Sequence, residues 1–153
     1  LPDNDPRSQR VKQVGNKIKD AAISFLTKHN QLKRIENFEW QFNTVNDPTV
    51  NAWCMPGGFV VVYTGILKLV ETDDELATIM GHEIAHAIAR QSDKIGLVYM
   101  KMAGYDPNHA VTFWQKMAAN GGSVPELLST HPSDEKRIKD IQEFIPKIDA
   151  ILK

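Results

Sequence analysis

The sequence predicts an α+β domain, mostly helical around a small three-stranded sheet. Three observations carry that reading. Apolar residues recur at helical spacing on both sides of the middle of the chain. The middle itself alternates, or runs β-branched, as strands do. Turn and cap residues punctuate the boundaries between the two patterns.

Leu1-Pro2-Asp3-Asn4-Asp5-Pro6 is polar and proline-rich, so residues 1–10 are expected to be a flexible lead-in and 11–153 a single domain. Val11, Val14, Ile18, Ala22, Phe25 and Leu26 predict an amphipathic helix whose stripe reaches from about Pro6 to His29. Phe38, Trp40 and Phe42 alternate with Glu39, Gln41 and Asn43, the period of a half-buried strand. Asn46-Asp47-Pro48 signals a turn, and Val50 to Met55 a short strand. Pro56-Gly57-Gly58 is a tight turn into the strand Phe59 to Tyr63. The three strands are expected to be joined by hairpins.

Thr72-Asp73-Asp74-Glu75 is a capping box, followed by Leu76, Met80, Ile84 and Ile88 at four-residue spacing. Ile95 to Met102 is helical in pattern and stops at Gly104. Asp106-Pro107 opens a further helix, which Asn120-Gly121-Gly122 ends. Pro132-Ser133-Asp134-Glu135 opens the last one, with Ile138, Ile141, Ile145, Ile148 and Leu152 as its core face. Pro146 is expected to kink it or end its regular part.

Composition narrows the function. Apolar residues at 42% and charged residues at 24% describe an ordinary globular chain. A net charge of -1 favours neither nucleic acid nor an acidic membrane surface. The lone cysteine, Cys54, excludes an internal disulfide. No apolar run approaches the roughly 20 residues that span a bilayer.

The chemistry concentrates in His82-Glu83-Ile84-Ala85-His86. Two histidines four residues apart share one helix face, about 6 Å apart at Cβ. Neutral imidazoles so placed can hold one Zn²⁺ at about 2.1 Å each. Glu83, one position on, can take a proton from the attacking water without ligating tightly. A zinc-dependent peptidase is the reading this pattern favours. The long form of the motif would need a glycine and a histidine at positions that hold Ala89 and Ser92, so that class is excluded. A purely structural zinc site needs four closed ligands, mostly cysteine, and one cysteine cannot supply them.

Several segments in order are similar to the HtpX and CAAX-prenyl-protease family of zinc peptidases, especially its short soluble bacterial members. They are Asn51-Ala52-Trp53 with Met55-Pro56-Gly57-Gly58, then Thr64-Gly65, then Asp74-Glu75-Leu76-Ala77 leading into Gly81 to Ala87. Ser92-Asp93-Lys94-Ile95-Gly96, Ala103-Gly104-Tyr105-Asp106-Pro107, and Ser129-Thr130-His131-Pro132 followed by Arg137 continue the match. The resemblance implies a gluzincin-like zincin fold with one Zn²⁺ per chain. It implies that the strand after Pro56-Gly57-Gly58, with Gly58, Phe59, Val60 and Val61, is a sheet edge lining the active-site cleft. There an extended polypeptide would add as a further strand. It implies an auxiliary or regulatory metal contact for His131, a supporting catalytic role for Arg137, and for Asp93 a place behind a ligand histidine. A bacterial periplasmic setting, or an outer-membrane lipoprotein anchored through an upstream cysteine, is the implied localisation.

The family pattern breaks at one place. Its third ligand is a glutamate four residues before the aspartate, and here that position is Ala89. Only six residues separate His86 from Asp93. If the helix simply continued, Asp93 would lie about 10 Å further along its axis than His86. Either the sequence omits a stretch that the protein itself carries between Arg90 and Gln91, or a true deletion leaves a two-histidine site, with Asp93, Glu126, His131 and Glu135 as substitutes. The leading function is an endopeptidase acting on exposed or misfolded polypeptide. The alternative is an inactive or weakened, chaperone-like binding module.

Overall fold

The structure is a computed structural model and describes residues 1–88, 92–119 and 134–153. In order the elements are α1 (Pro6–Lys28), a 3-10 turn (Leu32–Ile35), β1 (Gln41–Val45), β2 (Ala52–Met55) and β3 (Phe59–Tyr63). There follow α2 (Thr64–Leu67), α3 (Asp73–Ile88), α4 (Ser92–Met102) and α5 (Asn108–Ala119). After 120–133 come α6 (Asp134–Phe144), a 3-10 turn (Ile145–Lys147) and α7 (Ile148–Ile151). The α+β class is as expected.

Helix α1 begins where its cap dictates. The Asp5 carboxylate accepts from the Arg7 N–H at 2.8 Å, and Pro6 fills the first turn, where no N–H is needed. The helix therefore takes in residues 6–10 of the expected lead-in, and Ser8 is buried. Asn30, at φ 57, closes the other end: its N–H reaches Thr27 and the Gln31 N–H reaches Leu26. Between the caps Val11, Val14, Ile18, Ala22 and Leu26 face the core.

The sheet order is β1-β3-β2, with β1 parallel and β2 antiparallel to β3. Only β2 and β3 form a hairpin, over Gly57 and Gly58 at φ 101 and 93. The expected chain of hairpins fails at β1 because residues 46–51 cross over instead of turning back. That crossover is tied down by Asp47, whose N–H donates to the Thr64 hydroxyl and whose carbonyl accepts from the Gly65 N–H. Phe42, Val60, Val62 and Ala52 point inward. Phe38 and Trp40 stack ahead of β1, at a ring distance of 5.2 Å, instead of opening the strand.

Helix α3 sits in the middle of the molecule. Every residue from Glu75 to Ala85 is buried, so the predicted stripe widens to the whole circumference. Helices α1, α4 and α5 and strand β2 surround it. Its capping box forms in modified shape. The Thr72 hydroxyl accepts from the Glu75 N–H at 3.2 Å, but the Glu75 carboxylate reaches Glu71 N–H, not Thr72. The same carboxylate meets Lys116 Nζ of α5 at 2.8 Å. Burial works against the Glu75 charge, yet the Lys116 and Glu71 hydrogen bonds outweigh it and hold its pKa below the ordinary carboxylate value.

Helices α4 to α7 close the far side. Asp106 caps α5 as expected, accepting from the Asn108 N–H at 3.0 Å. Pro146 interrupts the last helix in the 3-10 turn, and Ile141 and Ile148 on either side of it are buried.

Lys116→Met is expected to lower stability by roughly 2 kcal/mol at neutral pH, less than for a fully buried pair because Lys116 keeps 27% of its side chain exposed. Because the folded-state pKa of Glu75 is depressed, that stabilisation is present above the ordinary carboxylate pKa and lost as pH falls through the lowered one. Urea titrations of both proteins should therefore differ at neutral pH and converge as the pH falls through the lowered Glu75 pKa.

Candidate metal centre

Helix α3 sets His82 and His86 one turn apart on the same face, with Glu83 beside His82. His82 is 4% exposed and Glu83 5%, while His86 is open to solvent. A pair of imidazoles graded from buried to exposed can hold an ion at a cleft wall.

Two neighbours fix this segment. Gly81 of α3 lies directly on Gly96 of α4: a Cβ on Gly96 would stand 2.8 Å from the Gly81 carbonyl and 3.0 Å from the His82 nitrogen. The two helix backbones touch there, which only glycine permits. Helix α4 thus lies back against α3, and the continuous helix assumed for the interval between His86 and Asp93 does not exist. Helix α3 stops at Ile88 and α4 starts at Ser92. The second neighbour is Trp114 of α5, whose ring meets His82 edge-on at 5.5 Å and 67°. The Arg137 guanidinium of α6 lies over that indole at 4.2 Å. At 1% exposed, Arg137 is buried in the interior.

Strand β2 completes the wall. Its Cys54 side chain shares the inner face with Val60 and looks toward α3. The Cys54 thiol is pushed up to about 12, chiefly by burial and in part by the negative charge of Glu83. The edge assignment for Gly58, Phe59, Val60 and Val61 is corrected by this topology. Phe59 to Val61 are paired on both sides, to β1 and to β2, and Gly58 N–H is turned into the hairpin toward Met55. The open edge on the α3 side is β2 itself.

Among the described residues no group of three or more His, Cys, Asp and Glu side chains could hold a metal ion. The donor set fits zinc as far as it goes, with two imidazoles at ligand spacing and a carboxylate next to them. Glu126 and His131 lie outside the described residues. The backbone of Asp93 is in α4, its side chain outside the description. Glu135, at the exposed start of α6, makes no group with the histidines. Sequence reasoning missed Trp114 and Cys54. Spacing gives no sign of either, since each reaches the site from a different element; the aromatic pair Phe113-Trp114 within α5 was the only visible signal.

The model of peptidase family M48 matches this chain over residues 8–92 and 89–145. The chain belongs to peptidase family M48. M48 membership implies a metal cofactor. The chain is 32% identical over 198 residues to the mitochondrial metalloendopeptidase OMA1 of Schizosaccharomyces pombe, covering 96% of this chain and 56% of that protein. It is 28% identical over 207 residues to the Saccharomyces cerevisiae protein of the same name, covering 99% and 59%. The beta-barrel assembly-enhancing protease of Escherichia coli is 22% identical over 199 residues, covering 90% and 39%. The chain thus spans 39 to 59% of the length of these relatives.

Two details bear on the missing ligand. The family match falls into two pieces that meet at residues 89–92, where the M48 pattern breaks. An alignment of 207 residues to a chain of 153 also means that the relative carries residues with no counterpart here. The family match supports a segment lacking at that junction, and the alignment length shows that the relative has residues to fill one. The relatives overturn the periplasmic and lipoprotein expectation: mitochondrial proteins match at up to 32% identity, the bacterial proteases at 22%. The motifs that suggested a bacterial setting speak to a site's chemistry, and chemistry does not encode a compartment.

Gly96→Ala forces the α3 and α4 backbones apart and should cost about 1–3 kcal/mol in urea denaturation. At pH 8 the folded protein should take up iodoacetamide at Cys54 far more slowly than the denatured chain, because the thiolate is the reactive form.

Proposed function

We propose that this M48 chain is a zinc-dependent endopeptidase domain acting on exposed or misfolded polypeptide, in the service of protein quality control. The observation that carries the reading is the placement of His82, Glu83 and His86 on a buried, rigidly held helix beside an open strand edge. Zinc held by the two imidazoles would acidify water and polarise the scissile carbonyl.

The protein's own groups do the rest. Glu83, walled in by β2 and by the helices around α3, takes the proton from the attacking water and returns it to the leaving amine. The negative charge of Glu83 is felt at Cys54 of β2, which supports a base beside the β2 edge. On β2 the backbone alternates. The Tyr63 N–H bonds the Asn51 carbonyl, so in this register Ala52 and Cys54 turn their N–H and C=O groups away from β3, the Ala52 N–H onto its own neighbour's side-chain oxygen, Asn51 Oδ1, at 2.8 Å, which a pairing strand would have to displace. An extended substrate pairing with these groups would lie along the wall that holds Glu83. Main-chain pairing demands little of substrate sequence, which suits unfolded polypeptide as a class. The third ligand, and any contact from His131, belongs to residues outside the described part. Arg137 acts in this scheme from behind the site, through Trp114.

Glu83→Gln should bind zinc as wild type does and lose at least about 100-fold in casein cleavage. Chelation should abolish the wild-type activity, and added zinc restore it. A Glu83→Gln protein that cleaves as fast as wild type would rule this mechanism out.

A further inference from the structure

Trp114 belongs to no motif, yet it touches two groups of the site. Its indole carries the Arg137 guanidinium at 4.2 Å and meets the His82 ring at 5.5 Å and 67°. The three side chains come from α6, α5 and α3, and all are buried. A guanidinium removed from water needs compensating electron density, and the face of an indole is the best aromatic source of it. An edge-to-face ring contact also prefers a narrow range of orientations, unlike contact with an aliphatic side chain.

The backbone of His82 is already fixed by the Gly81–Gly96 contact. The rotation of the imidazole about its side-chain bonds is a separate matter, and a metal ligand must point one way. We propose that Trp114 is a positioning residue that sets this rotation, with Arg137 holding the indole in place. Helix α4 then fixes the backbone of the ligand and α5 its ring, while α6 locks the indole through one cation. The proposal rests on the reading of His82 as a metal ligand. A residue that merely fills the core would need neither the cation nor the tilted imidazole. Phe113, buried beside Trp114 at 5.1 Å and 72°, fills the core, and among the described residues it meets neither a cation nor a histidine ring.

The test uses Arg137→Met, Arg137→Lys, Trp114→Leu and Trp114→Phe in the full chain, each checked for folding by circular dichroism. Zinc affinity is read by competition with a chromogenic chelator. Orientation is read without metal, from the imidazole C–H signals of His82 in the EDTA-treated protein, assigned by their loss in His82→Gln. Arg137→Met and Trp114→Leu should weaken zinc binding by about 10- to 100-fold, the range for residues that orient a ligand. Trp114→Phe and Arg137→Lys should recover most of it. Arg137→Met, which keeps the indole, should still move the His82 signals, and Arg137→Lys should return them. Wild-type zinc affinity in folded Arg137→Met, with His82 signals unmoved, overturns the proposal. If Trp114→Leu does not fold, the two Arg137 variants decide alone. If the wild-type chain takes up no zinc, the proposed function falls, and the metal-free His82 signals still decide whether the stack positions the ring.

Discussion

The molecule is organised by one close approach, that of Gly81 to Gly96. Two helices can touch backbone to backbone only where neither carries a Cβ. The contact falls one residue before His82, so the helix that carries His82 and His86 cannot slide or roll against its neighbour. With α4 so near on one side, α1, α5 and β2 can close on the others, and the middle of α3 loses all access to water. Burial of that kind is unusual for a helix bearing a glutamate and a histidine. It is tolerable because the polar groups sit at the cleft end of the helix or have partners from neighbouring elements.

Charges are handled in the interior in two different ways. Glu75 has an ion-pair partner in Lys116 and a backbone donor in Glu71, so its carboxylate stays ionised despite burial. Arg137 lies instead on an aromatic face. The first arrangement joins the start of α3 to α5, and the second joins α6 to the same helix α5 near the site. Helix α5 therefore receives both interior cations' contacts, and its seating governs both ends of α3.

Much of this was legible in the sequence. Caps and periodicity located α1, α3, α5 and β3 closely, because the apolar stripe from Val11 to Leu26, the box Thr72 to Glu75, Asp106-Pro107 and the run Phe59 to Tyr63 carry local information. The zinc motif was legible for the same reason, since spacing along one helix is a local property. Pairing between strands is not local. Nothing in Phe42 or Val60 states that β1 joins β3 in parallel, and the misplaced substrate edge followed from that gap. The stack through Trp114 was invisible for a like reason, since its three members lie on separate helices.

The parallel pairing of β1 with β3 also orders the assembly of the chain. Gln41 to Val45 find hydrogen-bonding partners only in residues 59–63, after β2 and its hairpin have been laid down. An emerging chain that ends before Tyr63 therefore leaves α1 with no completed sheet to pack against. The β2–β3 hairpin, being local, closes first and fast, and β1 is captured on its far side as a separate, slower event. Because β1 takes one edge of the hairpin, the edge left over is the one beside Glu83. The order of strand pairing and the choice of which strand is left at the edge are thus two results of a single crossover.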